Sequence, residues 1–249
     1  MAMPTNPAAA RAEVIELHEE TDARYATRAD EEVDAYREGV GKKLAAFLAG
    51  EELRIRLKPS DLIRWLEDGE RLTFHTTGIT NGYEDIQARR TVEHEMMGVP
   101  LEAGEENRPR YGYVRGSLEE ATELNGYGNV LIRLADDLRG RATVVLGDSI
   151  GSSTRNRIPV GCVCMVAEPL ADVSELLCRF PDQDVAAADQ LHQACDEGYQ
   201  YAEVQIYDRL EPNAIRQVVF CNGERATGEL RRLIDRWGLN FDEIDGVLD

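Results

Sequence analysis

Between Phe74 and Ser149, β-prone segments end three times in small, backbone-permissive or hydroxyl residues. Leu72-Thr73-Phe74-His75-Thr76-Thr77-Gly78-Ile79-Thr80-Asn81-Gly82 runs from such a segment into two glycines. Arg108-Pro109-Arg110-Tyr111-Gly112-Tyr113-Val114-Arg115-Gly116-Ser117 repeats the pattern with arginines close by. Ala142-Thr143-Val144-Val145-Leu146-Gly147-Asp148-Ser149 is an apolar strand that ends in Gly-Asp-Ser. Glycine lets a backbone approach a ligand closely, and hydroxyls and arginines hold ribose and phosphate oxygens. Repeated at successive strand ends, these residues predict a cleft of nucleotide size.

The rest of the composition narrows what can occupy that cleft. A chain of 249 residues, 43% hydrophobic and 30% charged, is expected to bury a full core and to be soluble. No apolar run is long enough for a membrane span, and Met1 to Arg11 lacks the basic-then-apolar layout of a secretory signal, so a cytoplasmic location is expected. The formal net charge is −19, from 47 acids against 28 bases. Such a balance argues against nonspecific nucleic-acid or anionic-membrane binding, which needs clustered cations. An anionic ligand must therefore be met by a local basic patch. The five cysteines (Cys162, Cys164, Cys178, Cys195 and Cys221) have neither disulfide-framework nor zinc-ligand spacing, so reduced thiols and no metal are expected.

Along the chain, residues 8 to about 49 read as amphipathic helix interrupted near Gly39 and Gly41. This arm, residues 1–50, either packs on the body as a helical extension or serves association with itself or a partner. Leu53-Arg54-Ile55-Arg56-Leu57 alternates as a strand, and Pro59-Ser60-Asp61 opens a short helix that ends near Gly69. Gln87 to Met97 reads as helix with Val92, Met96 and Met97 on one face; Glu93 and His94 are expected at its solvent side. Strands follow at 129–134, 143–146, 158–166, 201–207 and 215–221, with a helix at 185–197. A C-terminal tail, residues 224–249, carries a helix from Glu229 to Trp237, stopped by Gly238. Unequal connections predict an α+β body over 51–223 rather than regular βαβ winding. The absence of a GxGxxG or Walker A loop argues against Rossmann and P-loop folds.

Glu203 and Gln205 share one face of a strand, opposite Ala202, Val204 and Ile206. The plain reading is the solvent side of an edge strand. The sharper one turns both into a cleft, where the carboxylate stabilises a developing cation and the amide orients a sugar hydroxyl. Arg115 is either a surface arginine or a diphosphate clamp beside Tyr111, Gly112 and Tyr113. His75 is either a hydrogen-bonded strand histidine or part of the site, and Asp148-Ser149 either a plain turn or a ligand contact.

The ordered series Phe74-x-Thr76-Thr77-Gly78-Ile79-x-Asn81-Gly82, Val92-Glu93-x-x-Met96-Met97-Gly98, Arg108-Pro109-x-Tyr111-Gly112, Tyr127-Gly128, Arg141-x-Thr143-x-x-x-Gly147-Asp148-Ser149 and Glu203-x-Gln205-Ile206 resembles a bacterial family of unknown function. That family is related to the ADP-ribosyltransferase-like module at the end of minor head proteins of actinobacterial phages. The resemblance covers roughly residues 53 to 221. It implies two small, antiparallel-rich sheets facing an NAD cleft, with NAD as substrate and no metal. Transferases of this type carry an Arg or His on a first strand, a Ser-Thr-Ser or Tyr on a second, and a Glu near the last. Here His75-Thr76 resembles the His variant of the first element and Tyr113-Val114-Arg115-Gly116 the Arg variant. Gly147-Asp148-Ser149 stands at the second, and Glu203-x-Gln205 at the third. The family's last element often reads Glu/Gln-x-Glu with the second Glu catalytic, so here the essential carboxylate would be Glu203.

The implied site is then catalytic Glu203 with Gln205, and NAD-binding His75, Thr76, Thr77, Gly78, Tyr113, Arg115, Asp148 and Ser149. The implied reaction cleaves the nicotinamide–ribose bond and transfers ADP-ribose to a macromolecule, a small molecule or water. A toxin or phage effector delivered to a host cytoplasm fits the same resemblance. The alternative of a different class is a noncatalytic partner-binding or phage-structural module on a degenerate scaffold, which would release no nicotinamide.

Overall fold

Alternating sequence becomes sheet where expected in the computed structural model, which describes residues 42–77, 86–115, 126–146, 149, 163–164, 168–171, 173, 178–179 and 201–246. The N-terminal segment up to residue 41, the helix expected at 185–197, Gly78 and Asp148 lie outside the described residues, as does the side chain of Thr77. Helix α1 (Lys42–Gly50) leads into strand β1 (Arg54–Leu57). Helix α2 (Pro59–Asp68) follows, with proline in its first turn, where a missing N–H leaves nothing unsatisfied. Gly69 ends it at φ 74°, and its N–H closes on the Trp65 carbonyl at 3.0 Å. Next come α3 (Phe74–Thr77), α4 (Ile86–Met97), β2 (Arg110–Arg115), β3 (Val130–Leu134), β4 (Ala142–Leu146), and the two-residue strands β5 (Val163–Cys164), β6 (Glu168–Pro169) and β7 (Cys178–Arg179). The chain ends with β8 (Tyr201–Ile206), β9 (Ile215–Phe220), α5 (Gly228–Trp237) and β10 (Phe241–Glu243).

Eight of these strands form one sheet in the order β10-β9-β3-β1-β2-β8-β4-β6, while β5 and β7 pair separately. Every pairing in the large sheet is antiparallel except β10 on β9. The body is therefore mixed α/β and antiparallel-rich. Eight of the described strands make one continuous sheet, and the two small facing sheets that the resemblance implies are not seen among the described residues. One reason lies in β1: it pairs with β3 on one side and β2 on the other, so no break separates the two halves.

The face of the sheet bearing Ile55, Leu57, Val204, Ile206, Val218 and Phe220 packs against Leu62, Trp65 and Leu66 of α2 and Leu230, Leu233 and Ile234 of α5. The C-terminal segment thus packs as part of this layer, with Thr227 Oγ1 capping α5 by accepting from the Leu230 N–H at 3.2 Å. At roughly 1.5–3 kcal/mol per buried large apolar side chain, this face carries most of the stability. The opposite face is also covered. All four residues of β1 are buried, including Arg54 and Arg56. Their alternation with Ile55 and Leu57 looks like a solvent face in the sequence but is not one here. Among the described residues, no helix is long and apolar enough to cross a membrane.

Close approach to β1 demands glycine at two positions. A Cβ on Gly112 would lie 2.7 Å from the Arg54 carbonyl oxygen, and one on Gly128 would lie 2.2 Å from that of Leu57. Gly128 also has φ +135°, where side chains are strained. Gly128→Ala is expected to cost at least about 3 kcal/mol in chemical denaturation. Gly228→Ala, at an exposed helix start with nothing within 4 Å, should change stability by no more than about 1 kcal/mol. Equal, small effects at both positions would contradict the packing described.

Candidate active site

The two-residue period of β8 sorts its side chains. Ala202, Val204 and Ile206 enter the apolar core, while Glu203, Gln205 and the following Tyr207 point to the other face. β8 runs between β2 and β4, so the pair is in mid-sheet and buried rather than on a solvated edge. Strand register sets Tyr113 and Val145 beside Glu203, and Tyr111 and Thr143 beside Gln205. The Thr143 hydroxyl donates to Gln205 Oε1 at 2.9 Å, which turns the amide nitrogen toward the carboxylate. Gln205 Nε2 then donates to Glu203 Oε1 at 3.0 Å, and the Ser149 hydroxyl donates to the same oxygen at 2.5 Å. Ser149, distant in the chain, thus joins Glu203 and Gln205 in one cluster.

Helix α4 lies over this face. Arg89, Glu93 and Met97 are spaced by four residues and so share one side of the helix. Met97 packs with Val99, Val145 and Tyr207. Arg89 Nη1 donates to Ser149 Oγ at 2.9 Å and stands 3.8 Å from Glu203 Oε1, with its guanidinium stacked 4.3 Å from the Tyr111 ring centroid. The Tyr111 hydroxyl donates to Glu93 Oε1 at 2.7 Å.

Glu93 is fully buried, contrary to its expected place on the solvent side of the helix. It accepts from Arg108 Nη1 at 2.5 Å, and His75 Nε2 lies 3.0 Å from its Oε1 and 3.2 Å from its Oε2. Burial works to raise the Glu93 carboxyl. Hydrogen bonds from His75 and Tyr111, the charge of His75 and the Arg108 contact outweigh it, and hold the group below the usual carboxylate range. An ionised carboxylate only accepts, so His75 Nε2 carries the proton, and His75 Nδ1 has no hydrogen-bond partner among the described residues. Burial pushes the Tyr111 phenol well up; Arg89 opposes the rise, and Glu93 and Glu203 add to it. Tyr207 is pushed up to about 12, first by burial, so both phenols remain donors at neutral pH.

The other expected site residues distribute as follows. His75 sits in the short helix α3, not on a strand, because Thr73 Oγ1 meets Thr76 Oγ1 at 3.1 Å and the turn closes from Thr76 N–H to the Thr73 carbonyl. Thr76 is exposed beside it. Tyr113 is buried among Leu131, Val219 and Cys221 on the Glu203 face. Arg115 shares that face by register, yet its Nε donates to Glu51 Oε2 at 3.0 Å. An open groove lined by Glu70, Arg110, Arg141, Tyr207 and Arg209 lies beyond the end of β8 and does not include Glu203. Arg110 and Arg141 spend their donors there on backbone carbonyls. Among the described residues, no group of three His, Cys, Asp or Glu side chains is placed to hold a metal.

Sequence reasoning gave no site role to Arg89, Glu93, Arg108 or Thr143, although the last three stand in the series that carries the resemblance. A signal existed for α4: the stripe Arg89-x-x-x-Glu93-x-x-x-Met97 ends on an apolar residue that must be buried, which carries Glu93 inward with it.

No family model matches the sequence, and no curated protein matches it. Among solved structures, the chain is similar to Thermus sp. 2.9 DarT in complex with ADP-ribosylated ssDNA: 9% identity, 78% of this chain and 93% of that one, TM-score 0.42. The same Thermus protein in complex with NAD+ gives 8% identity, 78% and 94% coverage and a TM-score of 0.41. Thermosipho africanus DarTG in complex with ADP-ribose gives 9% identity, 78% and 49% coverage and a TM-score of 0.38. TM-scores of 0.38 to 0.42 do not place the chain in their fold.

The Glu93 carboxyl titrates lower in the folded chain than in the unfolded one, so its contribution to stability is present above the ordinary carboxyl range and lost as pH falls through the folded value. Glu93→Gln is expected to cost about 3–5 kcal/mol at neutral pH, because Arg108 is left buried without its counter-charge. The deficit should begin to shrink as denaturation is repeated below the ordinary carboxyl range of about pH 4, and go on shrinking toward the lower folded value, where the wild type loses the same ion pair. A deficit independent of pH would show that Glu93 contributes packing alone.

Proposed function

We propose that this protein cleaves NAD at the nicotinamide–ribose bond and transfers ADP-ribose to an acceptor or to water. The observation that carries the reading is the Glu203 carboxylate, buried in mid-sheet and fixed by a serine hydroxyl and an amide on one oxygen. Bond breakage takes the electron pair away with neutral nicotinamide and leaves an oxocarbenium-like ribose, the charge type that a fixed carboxylate stabilises. The acceptor's nucleophile then forms the new bond at C1′ and loses its proton, so NAD+ and acceptor–H yield nicotinamide, ADP-ribosyl acceptor and H+. Ser149 and Gln205 support the reading by holding Glu203 in one rotamer through their bonds to its Oε1.

Between the two candidates for the first element, His75 suits the reading better. It adjoins the Glu93–Tyr111 contacts that lead to Glu203, whereas Arg115 is engaged by Glu51. Thr76, Thr77, Gly78, Tyr113 and Asp148 complete the proposed NAD surface. NAD is abundant in a cytoplasm, which suits the expected location there, in the protein's own cell or a host's.

The noncatalytic module is the second reading, and one observation favours it: Arg89, 3.8 Å from Glu203, offsets the charge that catalysis would use. NAD turnover separates the two. With NAD and a cell lysate, the wild type should release nicotinamide, and Glu203→Gln should lower that rate by about 10²–10³-fold while its melting behaviour is kept. Full activity in Glu203→Gln, or no consumption of NAD by the wild type with any lysate, would leave the binding-module reading in place.

A further inference from the structure

Arg89 poses a problem that the catalytic reading does not answer. Its guanidinium is almost as close to Glu203 as an ion-pair partner can be without a direct hydrogen bond, and it holds Ser149 as well. A cation paired with Glu203 at that distance offsets part of the attraction that the carboxylate exerts on a developing ribosyl cation. While Arg89 stays in place, the carboxylate acts with only part of its charge.

We propose that Arg89 is a latch on Glu203 that the anionic diphosphate of the substrate releases, so that only a phosphate-bearing nucleotide switches the carboxylate on. The inference rests on the NAD reading above and names which part of the substrate controls the site. Three features of the geometry carry it. Arg89 is stacked on Tyr111, 4.3 Å from its ring centroid, and a stacked guanidinium presents its planar fork edge-on, the geometry in which it meets phosphate oxygens. The platform is rigid, since the Tyr111 hydroxyl is tied to Glu93, and Glu93 to Arg108 and His75. The side chains of Arg89 and Glu203 retain 12% and 9% of their exposure, so the pair is within reach of a ligand. A diphosphate offers more charge than Ser149 and Glu203 together, and its oxygens match the guanidinium fork. Arg89 is therefore a positioning and specificity-determining residue, acting through Glu203.

The test compares NAD with nicotinamide riboside, which presents the same scissile bond without phosphate. In the wild type, nicotinamide release from the riboside should have a kcat at least about 10²-fold below that from NAD, the cost of an unavailable stabilising group. Arg89→Ala should raise the KM for NAD at least about tenfold and also raise kcat on the riboside above the wild-type value. A residue with a merely structural role gives no such gain. Arg89→Met keeps the stem over Tyr111 without charge and should behave alike if the alanine variant folds poorly. Equal losses of kcat on both substrates, or an unchanged ratio between them, would overturn the latch. Should the wild type turn over neither substrate, the catalytic reading fails and the latch is judged by calorimetry. ADP-ribose should then bind Arg89→Met at least about tenfold more weakly than wild type, with adenosine binding unchanged. Equal ADP-ribose affinity in the two proteins, or none in the wild type, overturns the proposal.

Discussion

A carboxylate taken wholly out of water must be surrounded by donors or the fold cannot keep it, and Glu93 is placed in that position. Its donors come from three places: His75 on α3, Arg108 at the approach to β2, and Tyr111 on β2 itself. Satisfying one buried charge therefore fixes α3, α4 and the start of β2 relative to each other. Arg108 extends the constraint, since its Nη2 donates to the Leu101 carbonyl at 2.9 Å and the Ala103 carbonyl at 3.3 Å and pins the loop after α4. Apolar packing alone would leave α4 free to slide on the sheet.

From Glu93 the order passes to the candidate site by short steps. Tyr111, fixed by its hydroxyl, presents a ring face to Arg89; Arg89 reaches Ser149; Ser149 and Gln205 hold Glu203. The sheet is thus divided by face: one side is the large apolar core, and the other carries the charged and hydrogen-bonded cluster beside two smaller apolar clusters. The division comes from the two-residue period of β8, where Ala202, Val204 and Ile206 alternate with Glu203, Gln205 and Tyr207.

Much of this layout is legible in the sequence, and the gaps have physical causes. The strands over 54–57, 130–134, 142–146, 201–206 and 215–220, the helix that begins at Pro59 and the stops at Gly69 and Gly238 follow from local chemistry. Glu203, Gln205 and Ser149 are recognisable as polar residues at strand faces and ends, and the structure brings them together. What local pattern cannot say is whether the second face of a sheet is covered, so Arg54 and Arg56 look solvated and are buried. Glu93 sits in a run rich in Arg and Glu, where a glutamate normally faces water; its partner Arg108 is 15 residues away, and only the tertiary contact reveals it. His75 lies in a four-residue helix, too short for any periodic signal. The continuity of the eight-stranded sheet depends on β1 pairing at both edges, a long-range choice that alternation leaves open.

The central claim is that the polar face under α4 receives NAD with its scissile ribose at Glu203. The most direct measurement is a crystal structure with a non-cleavable NAD analogue. The account predicts the ribose C1′ within about 3–3.5 Å of a Glu203 carboxylate oxygen, as a group poised to act on the reacting centre must be. An analogue bound in the groove lined by Arg110, Arg141 and Arg209, or anywhere else away from Glu203, would contradict it.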